Sequence, residues 1–244
     1  MPAPGETAWF LDIDGTLLEL APSPDSVEVD GWLRALIVRL RDAAGGAVAL
    51  ISGRAIATVD RLFAPLHLPV AGQHGVERRD AAGVLHHHEP PFQELAGARH
   101  ALADWVSRHP GALIEDKRFS LAVHYRQAPA LAERLRRFLE AILAGSDGAL
   151  RLQPGKMVFE LKPAGRDKGV AIGEFLGEPP FLGRVPVFVG DDLTDEYGFE
   201  QVNLRGGLSV KVGDGPTCAG WRLPDVAAVR GWLEIVLDAG GIKN

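Results

Sequence analysis

A chain of 244 residues, 46% of them apolar and 24% charged, is long enough to bury a sizeable core in one large domain or two modest ones. Its net charge of −6 argues against nucleic acid or an anionic membrane as a partner, although a local cation site would still admit a small anion. No apolar run is long enough to span a bilayer. The opening MPAPGETAW lacks the basic region and long apolar stretch of a secretion signal. Cys218 is the only cysteine, which excludes an intrachain disulfide and a thiolate metal cluster and suits a reducing, cytoplasmic setting.

Residues 8–13 form an apolar run that reads as a buried strand ending in Asp12 and Asp14, after which Gly15-Thr16 turns the chain. Asp30 is placed to cap a helix with Trp32, Leu33, Leu36, Ile37 and Leu40 on one face. GAVALISGR (46–54) is a second strand, and the helix after it carries Ile56, Val59, Phe63 and Leu66. LPVAGQHG (68–75) is a third strand and turn. Strands alternating with helices predict an α/β fold, a Rossmann-like parallel sheet covered on both faces. Ligands of such sheets collect at the carboxyl ends of the strands, where Asp12, Ser52 and His74 fall.

The rhythm changes at residue 76. Residues 76–84 suggest a hairpin, and 92–108 a helix with Phe92, Leu95, Leu102, Trp105 and Val106 inward. FSLAVHYR (119–126) alternates strictly, with Phe119, Leu121, Val123 and Tyr125 on one face. A helix from Pro129 spaces Leu131, Leu135, Phe138 and Ile142 for burial. KMVFELK (156–162) alternates again, with Met157, Phe159 and Leu161 inward. These elements predict an inserted α+β domain over 76–160, a half-open sheet backed by helices, with the core formed by 1–75 and 161–244. The α/β rhythm then resumes: a helix capped by Asp167 with Ile172, Phe175 and Leu176, a strand at 184–192, a strand at 208–212, and a helix from Asp225 with Val226, Val229, Trp232, Leu233 and Val236.

Two apolar strands thus end in acidic pairs, Asp12/Asp14 and Asp191/Asp192. Either pair alone is equally well turn chemistry or half of a site for a hard divalent cation. Two pairs at the carboxyl end of one sheet favour the cation. Ser52 and Gly53 precede a helix, where backbone N–H groups can hold a phosphate, and Lys168 sits in a first helical turn, where an ammonium calls for a partner anion.

DIDGT, SGR, DKG and GDDLTDE, in this order and at these positions, resemble the four motifs of the haloacid-dehalogenase superfamily of phosphotransferases, and the insertion resembles its α+β cap. The resemblance implies Asp12 as nucleophile, Asp14 as general acid and base, and Ser52 and Lys168 as clamps on the phosphoryl group. It further implies Mg²⁺ on Asp12, the Asp14 carbonyl and Asp191, with Asp192 and Asp195 orienting ligands and waters around it. AGQHGVE (71–77), EDKRFSLAVHYR (115–126), GKMVFELKP (155–163) and VFVGDDLTDE (187–196) resemble the trehalose-6-phosphate phosphatase family across nearly the whole chain. By that resemblance His74, Lys117, Arg126, Lys156 and Glu160 are expected to hold the sugar; His124, on the polar face of FSLAVHYR, is expected to join them, and Gly53 and Arg54 to lie at the substrate.

The resemblance implies Mg²⁺-dependent hydrolysis of a small sugar phosphate, trehalose 6-phosphate, to trehalose and phosphate through an aspartyl-phosphate, with no nucleic acid, membrane or obligate protein partner expected. The alternatives are another sugar phosphatase, such as one for sucrose phosphate, a phosphomutase, or a catalytically silent sugar-phosphate sensor. His86–His88 read as an adventitious metal binder at most, since consecutive side chains diverge; Cys218 reads as a small filler, and the five tryptophans as mostly core.

Overall fold

The structure, a computed structural model, describes residues 3–20, 27–88, 91–116, 120–155 and 157–240. The chain divides into two compact units, Met1–His87 with Arg166–Asn244, and His88–Gly165. It enters the first unit with β1 (Thr7–Leu11), α1 (Gly31–Ala43), β2 (Val48–Ile51), α2 (Ile56–Phe63), β3 (Val70–Gly72), β4 (Glu77–Arg79) and β5 (Leu85–His87). The second unit holds α3 (Phe92–Ser107), β6 (Leu113–Asp116), β7 (Leu121–His124), α4 (Ala132–Ala144), β8 (Leu150–Gly155) and β9 (Val158–Pro163). The first unit resumes with α5 (Lys168–Phe175), β10 (Val185–Gly190), α6 (Glu196–Asn203), β11 (Leu208–Val212), β12 (Trp221–Leu223) and α7 (Val226–Gly240). No helix among the described residues is long and apolar enough to cross a membrane.

The sheet of the first unit runs β12-β11-β10-β1-β2-β3-β4-β5, parallel from β12 through β3. Its central strands are continuously apolar because both faces are covered. All five residues of β1 are buried, and Trp9 meets Trp232 of α7 on one side while Phe10 packs on Phe175 and Phe181 on the other. Each such side chain contributes roughly 1.5–3 kcal/mol by leaving water. From β1 the chain order runs outward to β2 and β3 on one side, and on the other the later strands β10, β11 and β12 are added. The order reverses between β1 and β10, and at such a switch point the loops diverge and leave a crevice at the strand ends.

The expected caps are present. Asp30 accepts from Leu33 N at 2.6 Å and Asp167 from Val170 N at 2.8 Å, each satisfying one of the orphan donors of a helix start. Leu66 lies beyond the end of α2 but still packs on the core.

The hairpin expected at 76–84 does not open the insertion. Its strands pair antiparallel onto β3, with Ala71 opposite Arg78, and so extend the first sheet. The second unit therefore starts at His88, and it ends at Gly165 because β9 continues to Pro163 opposite Leu150. Its sheet runs β6-β7-β9-β8, antiparallel throughout. One face is apolar: Leu121, Val123, Phe159 and Leu161 join Leu95, Leu102 and Trp105 of α3 and Leu135 and Leu139 of α4. Phe138 and Ile142 pack at the edge of this cluster, whereas Phe92, in the first turn of α3, is exposed.

Two further expectations are corrected. Trp32 and Trp221 are exposed rather than core, Trp32 lying beneath the Arg230 guanidinium and Trp221 on the edge strand β12. Cys218 is exposed rather than a filler, and partial desolvation of its thiol together with the adjacent Glu196 pushes its pKa up to about 11. His86 pairs with Asp80 at 2.8 Å within the hairpin.

Candidate active site

Asp12 follows β1 directly and Asp191 follows β10, and these strands are neighbours with Leu11 opposite Val189. Parallel pairing thus brings both acidic ends to one rim. After Asp12 the chain turns tightly: Leu17 and Leu18 donate to the Ile13 carbonyl, each at 2.9 Å, and Gly15 donates to Leu18 O at 2.7 Å. Gly15 has φ +81°, and a Cβ there would lie 2.1 Å from Asp191 Oδ2, so only glycine permits the two strand ends to close on each other.

Lys168, in the first turn of α5, is buried and reaches between the strand ends. Its Nζ donates to Asp12 Oδ1 at 2.7 Å and to Asp195 Oδ1 at 2.6 Å. Burial opposes the ammonium, but these two carboxylates outweigh it and raise the Lys168 pKa, so the charge is kept. Asp195 is completely buried. Its second oxygen accepts from Asp191 N at 3.0 Å and Asp192 N at 2.9 Å, tying the loop after β10 to the lysine. Asp192 caps the short 3-10 turn Leu193–Asp195, accepting from Leu193 N at 2.7 Å, and is exposed.

The carboxylates of Asp12, Asp191 and Asp195 offer ligand atoms that all lie within 4.8 Å of one another. Three buried or half-buried carboxylates meet two ammoniums here, Lys168 between Asp12 and Asp195 and Lys211 at the Asp191 carbonyl, which still leaves an excess of negative charge. Desolvation, ahead of the attraction of Lys168, raises Asp12 well above the carboxylate range. Desolvation together with Asp195 raises Asp191 to about 6. An all-oxygen donor set short of positive charge fits a hard divalent cation. With both Asp195 oxygens already committed to Lys168 and the loop, Asp12 and Asp191 are the carboxylates left to meet it.

A stability prediction follows from Asp191. Its folded pKa lies above its unfolded value of 3.8, so its stability contribution is full below that value and is lost as pH rises through about 6. Without metal, Asp191→Asn is expected to unfold later than the wild type at pH 7.5, by on the order of 2 kcal/mol. The advantage should vanish near pH 4, and a thermal-melting series in chelator checks it.

Ser52 follows β2 and is buried, and its hydroxyl accepts from Arg54 N at 3.1 Å. The sequence suggests that the start of α2 itself would hold phosphate. Instead its first N–H, that of Ile56, donates to Glu77 Oε1 at 2.7 Å, so a carboxylate of β4 already occupies that pole. His74, in a left-handed conformation with φ 57°, sets its ring against Gly53, where an added Cβ would approach Nε2 to 2.9 Å. Arg54 pairs with Asp14 through two bonds, Nε to Oδ2 and Nη2 to Oδ1, both at 2.6 Å.

In the second unit the apolar alternation leaves Ala122 and His124 on the other sheet face, with Glu160 opposite Ala122. Glu160 Oε1 accepts from Ser120 Oγ at 2.5 Å, and His124 Nε2 lies 2.8 Å from Glu115 Oε2. Arg126 is exposed just beyond β7. Lys117 and Lys156 lie outside the described residues, as does Phe119. The sequence reading passes over two residues of the first unit. Glu77 holds the SGR loop through α2, and Lys211, buried in β11, donates its Nζ to the Asp191 carbonyl. A lysine inside the apolar run LSVKV was the available signal for the second.

The chain is 45% identical over 232 residues to the trehalose-6-phosphate phosphatase of Escherichia coli, covering 95% of this chain and 87% of the relative. It is 46% identical to a probable trehalose-phosphate phosphatase of Sinorhizobium fredii, covering 92% and 85%. Among solved structures it superposes on a trehalose-6-phosphate phosphatase related protein with TM-score 0.74 at 28% identity, covering 95% and 97%. A haloacid dehalogenase-like hydrolase from B. subtilis shares the fold, with TM-score 0.69 at 15% identity, covering 93% and 99%. The family profile described as Trehalose-phosphatase matches residues 10–226. The chain belongs to the trehalose-phosphatase family, and its strand-end carboxylates and buried lysine lie inside the matched span.

Proposed function

We propose that the protein hydrolyses trehalose 6-phosphate to trehalose and phosphate with Mg²⁺ as cofactor. The observation that carries the phosphoryl-transfer reading is the contact of one buried ammonium, Lys168, with Asp12 and Asp195 beside Asp191 at the sheet's switch point. The 45% identical Escherichia coli enzyme supports the choice of substrate.

In this reading an oxygen of Asp12 attacks phosphorus, the ester P–O bond breaks, and an aspartyl-phosphate forms. Asp14 gives its proton to the departing sugar oxygen. Water then attacks the phosphorus, Asp14 takes its proton, and phosphate leaves with Asp12 regenerated. Lys168 holds the Asp12 carboxylate in one orientation and offsets charge on the phosphoryl oxygens, a task to which the hydroxyl of Ser52 and the N–H of Gly53 are also assigned. Mg²⁺, held by Asp12, Asp191 and the Asp14 carbonyl, would neutralise the phosphate oxygens and lower their repulsion toward the nucleophile. Asp195 keeps Lys168 and the Asp191 backbone in register, and Asp192 fixes the turn between them.

The sugar is read by hydrogen-bonding side chains of the second unit, Lys117, His124, Arg126, Lys156 and Glu160, with His74 near the phosphate loop. His124 and Glu160 fall on the non-apolar face of the second sheet; polar groups so presented suit a polyhydroxylated ligand, and a site built from them rejects analogues that leave them unpaired. The reaction is placed in the cytoplasm, where an exposed free thiol such as Cys218 stays reduced.

Phosphate release from a panel of sugar phosphates with Mg²⁺ tests this. Trehalose 6-phosphate should exceed glucose 6-phosphate and sucrose 6-phosphate by at least about 100-fold in kcat/KM. A preference for a monosaccharide phosphate would sink the substrate, isomer formation without free phosphate would identify a mutase, and binding without turnover a sensor.

A further inference from the structure

We infer that Arg54 is the positioning residue of Asp14 rather than a ligand of the substrate phosphate; this rests on the reading of Asp14 as proton donor given above. Asp14 stands on the turn after β1 with its side chain 31% exposed, and Arg54 confines its carboxylate. Its guanidinium, only 12% exposed, lies side-on with Nε and Nη2 each 2.6 Å from a different carboxylate oxygen. A planar fork meeting a carboxylate with two parallel charge-assisted bonds fixes both its position and its rotation, which a single ammonium would not.

The arginine itself stands on a held backbone. Its N–H donates to Ser52 Oγ at 3.1 Å, and its carbonyl accepts from Gln73 N at 3.0 Å. Two residues on, Ile56 N is held by Glu77, so the loop is pinned on both sides. The close packing leaves no slack, since a Cβ at Gly72 would come within 3.0 Å of the Arg54 carbonyl. The loops after β2 and β3, with Glu77 of β4, thus fix Arg54, and Arg54 fixes an acid that stands on β1's turn. The cation that already faces Asp12, where phosphorus must bind, is Lys168, and the Arg54 fork is committed to Asp14.

An acid that transfers a proton works within about 2.6–3.2 Å of its target. A misplacement near 1 Å can cost on the order of 10²-fold. Its loss matters only when the leaving oxygen needs the proton. A sugar alkoxide does, whereas p-nitrophenolate departs without one.

The test compares wild type, Arg54→Gln, Arg54→Lys, Asp14→Asn and the Arg54→Gln/Asp14→Asn double variant, with Mg²⁺, on p-nitrophenyl phosphate and on an alkyl phosphate that the wild type turns over. Alcohol release in the first turnover is followed by rapid quench, and melting temperatures check folding. Arg54→Gln should slow release of the alkyl alcohol by about 10- to 100-fold, and nitrophenol release far less, with both KM values within about 3-fold of wild type. Arg54→Lys, with charge but no fork, should regain part of the rate, and Arg54→Gln should add nothing in the Asp14→Asn background.

Equal losses on both substrates with weakened inhibition by inorganic phosphate would make Arg54 a phosphate ligand and overturn the inference. So would losses that add to those of Asp14→Asn. If Asp14→Asn itself fails to discriminate the leaving groups, the acid role of Asp14 falls and the inference with it. If Asp14→Asn discriminates and Arg54→Gln does not, only the role of Arg54 falls.

Discussion

Replacing Asp12 by asparagine should abolish phosphate release while leaving the protein folded and no less stable. Asparagine keeps the shape of the side chain, so β1 and the packing beneath it are undisturbed. It removes the nucleophilic oxygen, and loss of a group that forms the covalent intermediate costs on the order of 10⁴- to 10⁶-fold in turnover. Stability runs the other way. Asp12 is buried beside Asp191 and Asp195, and burial has already pushed its pKa well above the usual range. Such a group contributes stability that is present at low pH and lost as pH rises through the folded pKa. In chelator at pH 7.5 the variant should therefore melt at or above the wild-type temperature. Activity that survives Asp12→Asn would refute the covalent route; a large drop in melting temperature would refute the charge account.

Lys168→Met should have the opposite signature, losing both activity and stability. Methionine fills a similar volume but strands Asp12 and Asp195, whose oxygens lie 2.7 and 2.6 Å from the ammonium, without a counter-charge. Removing one partner of a buried ion pair costs about 3–5 kcal/mol, which in a chain of this size lowers the melting temperature by roughly 10 °C. The Lys168 pKa is raised on folding, so its contribution is complete below the unfolded value and is not lost anywhere in the neutral range. What changes with pH is the partners: acidification protonates Asp12 and should narrow the gap between variant and wild type. Added Mg²⁺ should narrow it too, by supplying the missing positive charge. Turnover should fall by about 10²- to 10³-fold, the usual cost of losing one preorganised donor to a developing charge. A variant that melts like wild type in chelator would show that the three carboxylates are not held together by this lysine.

Most of the first unit's pattern was legible in the residues because burial on both faces of a parallel sheet writes continuous apolar runs, and Asp30 and Asp167 mark helix starts by local chemistry alone. What escaped notice was short or atypical. β6 ends in two acids, β8 contains Pro154 and Gly155, and β12 has three residues, none enough for a periodic signal. The assignment of the hairpin to the first sheet was not readable either, since pairing partners of a three-residue strand are set by the neighbouring edge and not by its own sequence.

The candidate site divides in the same way. The residue types and their order, Asp12 and Asp14, Ser52, Lys168, Asp191, are a linear pattern, and with the resemblance they were enough for phosphoryl chemistry. Which groups touch was decided only by the fold, because contacts between residues as far apart as Asp12 and Lys168 follow from strand order and register. The sequence by itself placed two carboxylates after an apolar strand and gave them no distinct surroundings. The tertiary structure put Asp12 under a buried lysine among like charges and Asp14 in the fork of Arg54 at a third of full exposure. Two aspartates separated by one residue were thereby set in environments of different charge and solvation, and that difference equips them for different work.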